Sequence, residues 1–160
     1  MFRKLALTAA LLAPISATAQ DLPTAPYLPL DMAMTAAQAA VAACAAEKHN
    51  VSVAIVARDG SPQVGLKADG SGPHTTASAT GKAFTSAAMG RDTADLAGFI
   101  AENPQNAGLR DMDDRLVIQA GGLPIKVGGA LVGGIGVGGA PSGDVDSVCA
   151  RAGLDAIAAE

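Results

Sequence analysis

Only two histidines, His49 and His74, occur in the 160 residues, which excludes a multi-histidine metal centre. His49 falls at the end of a helical pattern, where an imidazole chiefly favours the C-terminal dipole. His74 follows Gly70, Gly72 and Pro73 and directly precedes Thr75 and Thr76, at the entry of a second helical pattern whose free N–H groups favour anions. One accessible imidazole suffices for one axial bond to a haem iron, with Lys82 and the helix start to meet propionates and Phe84 or Met89 to meet the apolar ring. The plainer reading of the same residues is a surface-loop histidine beside a capping threonine. Asp111, Asp113 and Asp114 offer carboxylates to a hard cation, although three close acids in a polar loop ordinarily form a solvated face. No Ser-His-Asp or paired-carboxylate constellation can be argued from spacing, so no acid, base or nucleophile marks an enzyme.

The run from Gly134 to Gly139 satisfies G-x-G-x-x-G between a strand pattern and a helix pattern, the wording of a dinucleotide fingerprint. That fingerprint needs further parallel strands after its helix, and the 21 residues beyond Gly139 suffice for the last helix alone. Gly134, Gly136 and Gly138 instead recur with period two and clear one face of a strand of side chains. A helix of the same chain, a second subunit or a flat ligand can pack there.

The elements that must position these residues are legible in outline. Arg3 and Lys4 precede an apolar run at 5–15, and Ala17-Thr18-Ala19 supplies the small-x-small pattern of signal cleavage, so residues 1–19 read as an export signal. Removing the first 19 of 160 residues leaves 141, and losing Arg3 and Lys4 takes the net charge from −4 to −6. An acidic chain without a Lys/Arg cluster repels phosphate backbones and anionic lipid, so no nucleic-acid partner is expected. No stretch after the signal has the roughly 20 apolar residues needed to span a bilayer, so stable membrane insertion after cleavage is not expected. The product is expected to be periplasmic or secreted. In such an oxidising compartment Cys44 and Cys149, on the first and last helix patterns, either close one disulfide across neighbouring helices or remain two separate buried thiols.

Residues 20–30, with Pro23, Pro26 and Pro29, read as an extended leader, and residues 31–160 as one domain. A helix capped by Asp31 or Thr35 runs to about Lys48; strands follow at 51–57 and 62–67 around the Asp59-Gly60 turn. Helices are expected at 75–89 and 93–102. Strands at 116–119, 123–127 and 130–137, turned by Gly121-Gly122 and Gly128-Gly129, precede a last helix from Ser142 or Asp144 to Ala158. The order α-β-β-α-α-β-β-β-α argues for an α+β fold with helices packed on the faces of a five-stranded antiparallel sheet. Hydrophobic residues make up 49% of the chain, but Ala is foremost among them and 19 Gly stand beside them, so the core is thin and suits a covalent staple or oligomerisation.

These segments together resemble the GlcG/HbpS family of haem-binding proteins, whose domain is also found in a corrinoid-related adenosyltransferase. The matching stretches are VSVAIVARDG at 51–60, His74-Thr75, GKAFTSA at 81–87, GGLPI at 121–125, GGIGVGGA at 133–140 and the helix at 144–157. The resemblance implies an α+β domain with five antiparallel strands, a homo-oligomer that is often an octamer, and haem near the second helix. It carries the iron-ligand role onto His74 or Thr75 as alternatives, and a propionate contact onto Lys82. One departure is Gly138, where the family often has serine. The function implied is an exported haem carrier, buffer or sensor accessory with an exchangeable site; the alternative is an oligomeric interaction module without catalytic activity.

Overall fold

The odd positions of the first strand pattern, Val53 and Ile55, are large and apolar, while the even ones, Ser52, Ala54 and Val56, are smaller on average; that asymmetry sorts the helices between the two faces of the sheet. In the computed structural model, which describes residues 22–158, nine elements follow an extended N-terminal segment. They are α1 (Leu30–Ala46), β1 (Ser52–Ala57), β2 (Pro62–Lys67), α2 (Thr75–Met89), α3 (Thr93–Glu102), a 3-10 segment (Pro104–Asp111), β3 (Gly122–Val127), β4 (Ala130–Gly138) and α4 (Gly143–Ile157). The sheet is antiparallel, in the order β2-β1-β4-β3. The expected export signal at 1–19 and the start of the leader lie outside the described residues.

On one face, Val53, Ile55, Val64, Leu123, Ile125, Ile135 and Val137 form a single core with the alanines of α1 and the inner side of α4. Small residues let these two helices come close: a Cβ on Gly153 would stand 2.6 Å from Ala36 O. Across that seam Cys44 and Cys149, separated by 105 in the sequence, form a disulfide with Cα atoms 5.5 Å apart. Closing so long a loop is worth roughly 5 kcal/mol in the chain-entropy account.

The other face carries α2. Gly134, Gly136 and Gly138 pair with Val56, Ala54 and Ser52, and the helix backbone rests directly on the cleared strip. A Cβ on Gly136 would collide with Ala79 O and stand 2.5 Å from Ala83 N; one on Gly138 would stand 2.9 Å from Ser78 Oγ. The occupant of the glycine face is therefore a helix of the same chain.

Several expectations need correction. The sheet has four strands among the described residues, because residues 116–119 do not pair with a neighbour. Their polar groups are taken by side chains: Val117 N–H donates to Thr85 Oγ1 (2.8 Å), and Ile118 O accepts from Arg110 Nη1 (3.3 Å). Gly121-Gly122 is not wholly a turn, since Gly122 opens β3 opposite Gly136. Neither Asp31 nor Thr35 caps α1, which starts after Pro29 without a side-chain cap; Asp31 Oδ1 accepts from the adjacent Met32 N–H. Ser142 does cap α4, accepting from Val145 N–H.

Replacing Gly136 by Ala should cost about 3 kcal/mol, since the intruding methyl meets backbone that cannot step aside. Gly65→Ala on β2, where nothing lies within 4 Å of the new Cβ, should stay within about 0.5 kcal/mol. Urea unfolding of both variants checks the difference.

Candidate functional site

Helix α2 sits where two hollows open, one on either side of its outward face. The first, about 600 Å³, is bounded by His74, Ser78 and Lys82 on the helix and by the 139–143 loop with the start of α4 opposite. His74 is the N-cap of α2. Its side chain makes no capping hydrogen bond, and its exposed ring packs over Gly72, where a Cβ would stand 2.8 Å from Cε1. Thr75, the neighbouring candidate, is buried; its hydroxyl donates to Gly72 O (2.8 Å) and lies 2.7 Å from Ser52 Oγ. The structure thus places His74 on the hollow and turns Thr75 into the interior.

Lys82 forms the back of this hollow, and it is only 3% exposed. Its Nζ donates to Asp146 Oδ2 (2.7 Å) and to Val137 O (3.0 Å), while Asp146 Oδ1 accepts from Ala140 N–H (3.0 Å). One ion pair therefore ties α2, the end of β4, the 139–143 loop and α4 together. Gly121, with φ 115°, makes room for it: a Cβ there would stand 2.7 Å from Asp146 Cβ and 2.9 Å from Lys82 Nζ.

The second hollow, about 550 Å³, lies between Pro62, Ala77, Gly81, Phe84, Arg115 and Val117 and shares Ser78 with the first. Gly81 admits the 115–117 segment, since a Cβ at that position would collide with Val117 and stand 3.0 Å from Arg115 O. Phe84 is 8% exposed, and the Arg115 guanidinium lies 4.0 Å above its ring. Asp113 holds that guanidinium: Oδ1 accepts from Nε (2.9 Å) and Oδ2 from Nη2 (2.6 Å). The hydrogen bonds from Arg115 hold the Asp113 carboxyl down at about 2, so the fork persists through the neutral and mildly acidic range. His74 and Lys82 thus line one hollow and Phe84 the other, with Ser78 between them.

Of the acidic run, Asp113 is committed to Arg115, and among the described residues no group of three His, Cys, Asp or Glu side chains could hold a metal ion. Sequence reasoning missed Arg115 and Asp146. The Asp113-x-Arg115 spacing within a turn was the available signal for the first. Asp146, 64 residues from its lysine, left none.

The family model described as haem degrading protein HbpS-like matches residues 28–155. The chain belongs to the HbpS-like family. The structure of a double mutant of HbpS from Streptomyces reticuli is 42% identical, covering 91% of this chain and 97% of that one at a TM-score of 0.80. A PduOC complex with haem is 25% identical, covering 82% and 96% at a TM-score of 0.73. Klebsiella pneumoniae ORFY, 20% identical with coverage of 89% and 99% and a TM-score of 0.81, shares the fold. No curated protein sequence matches.

For an HbpS-like haem site, the donor set fits in one respect and shifts in another. An exposed imidazole stands beside a hollow, as an axial ligand requires. The buried lysine has its charge already neutralised; of the exposed cations, Lys67 is engaged with Ser71 and with Gly72 O beside His74, and Arg115, whose side chain is 63% exposed, stands at the Phe84 end.

Lys82→Met should cost about 3–5 kcal/mol, because it leaves Asp146 buried without its partner. The double replacement Lys82→Met with Asp146→Leu should recover most of that loss, and thermal unfolding of the three proteins checks it.

Proposed function

We propose that this HbpS-like protein is an exported haem-binding protein whose site exchanges its ligand with solution. The ring lies along the outward face of α2, across Ala77 and Ser78, with His74 as the iron ligand. The observation that carries this reading is the exposed, uncapped imidazole of His74 on the hollow beside α2. The haem-bound PduOC relative supports it. Thr75 is the weaker ligand because iron would have to displace its bonds to Gly72 and Ser52. Bound haem supplies an iron centre with a further axial position. The chain's own part is to present the imidazole, offer an apolar strip and keep both on a helix that cannot shift. Few aromatics and two open hollows favour exchange over tight retention. The Cys44–Cys149 disulfide and the pattern at 1–19 support a periplasmic or secreted setting.

A second reading, an oligomeric interaction module that never meets haem, is favoured by the exposed apolar side chains of Tyr27, Leu30 and Val148, which suit contact between copies. Haemin titration separates the two readings. Stoichiometric haemin should shift the Soret band of the purified protein, and His74→Ala should change that spectrum while His49→Ala leaves it as it is. An unchanged Soret band in the wild type, with light scattering reporting an intact oligomer, establishes the second reading instead.

A further inference from the structure

We propose that Arg115 is the residue that recognises the carboxylates of the ring, at the Phe84 end of the same face of α2; this rests on the haem reading above. Three observations carry it. Lys82, the cation nearest His74 along α2, is buried and its charge is satisfied by Asp146 and by the carbonyl of Val137. Arg115 is exposed, and Asp113 takes the Nε and one Nη2 hydrogen of its five donors, leaving the Nη1 edge without a described acceptor. That edge is fixed in direction, since Asp113 grips the guanidinium from one side and the Phe84 ring lies 4.0 Å beneath it. A guanidinium held in this way loses little freedom when it binds a carboxylate.

The charges facing this spot are Asp113, which Arg115 already pairs with, and Asp114, which lines the same hollow and is exposed to water. Asp114 is screened by solvent at ordinary ionic strength, whereas a carboxylate bonded to Nη1 is in contact. The contact is therefore modest in strength and specific in direction. It selects a flat apolar ring bearing acidic groups over the same ring with those groups masked.

The test compares haemin with its dimethyl ester, titrated into the purified protein and read at the Soret band. Wild type should bind haemin about tenfold more tightly than the ester, and Arg115→Gln should erase that preference by weakening haemin alone. Arg115→Lys, which keeps the charge but loses the fork, should fall between. Thermal unfolding of each variant confirms that the fold is retained. Equal binding of haemin and ester by the wild type overturns the proposal, as does an Arg115→Gln loss that is the same for both, which would mark a packing role over Phe84. In either of those cases a Soret band that still responds to His74→Ala leaves the haem reading standing. If wild type binds neither compound, both readings fall together.

Discussion

The backbone of α2 lies directly against a strip of β4 from which every side chain has been removed, and the other features of the site are set by that contact. Where Gly134, Gly136 and Gly138 face the helix, Ala79 and Ala83 approach the strand closely enough that a single methyl on Gly136 would overlap them. At this depth the Ser86 hydroxyl reaches Leu123 O (3.0 Å), and Lys82 Nζ reaches Val137 O. The same depth brings the N-terminus of α2 beside the 139–143 loop, which is how His74 comes to face a hollow instead of open solvent.

The two faces of the sheet hold together by different means. The α1/α4 face is a broad apolar core with a disulfide across its seam, so its cohesion comes from buried area and from a restricted unfolded chain. The α2 face has only a small cluster of Ala54, Val56, Ala79, Ala83 and Ala87, and alanine burial adds little. Close packing, hydroxyl-to-carbonyl bonds and the Lys82–Asp146 pair take the place of bulk. A buried ion pair is a weak source of net stability, because desolvation offsets most of the attraction. Its directional demands are strict, however, and here they fix the mutual position of four segments around one hollow.

Much of this is legible in the sequence. The start of α2 and the end of α3 follow from the Gly72-Pro73 approach and from Asn103-Pro104, which are local signals; the structure adds that α2 closes at Gly90 in the left-handed conformation (φ 65°). The glycine period announced a close approach without naming what approaches, because the partner is set by tertiary packing. The reading of 116–119 as a strand failed for a related reason: its apolar residues satisfy the strand pattern, but Thr85 and Arg110 supply the hydrogen bonds that a neighbouring strand would have given. The site was half legible. His74 was visible from its place at a helix entry; the burial of Lys82 was not, since a lysine on a helix in an acidic chain reads as solvated until its distant aspartate is placed beside it.

The net charge of −4 bears on the haem capture proposed above. A ring carrying carboxylates approaches an acidic surface against the average field, so association gains nothing from long-range steering and affinity has to come from contact. The contacts at hand are few: one imidazole, an apolar strip at Ala77 and Ser78, and the open edge of one arginine. All three are displayed on or against a single helix whose inner face is locked to β4, and that rigidity spares the ligand the cost of ordering its site. On the proposed reading, such a site holds its ligand by preorganisation and not by enclosure, since among the described residues the first turn of α2 stays open at Thr76 and Ala77 while the 115–117 segment covers Gly81.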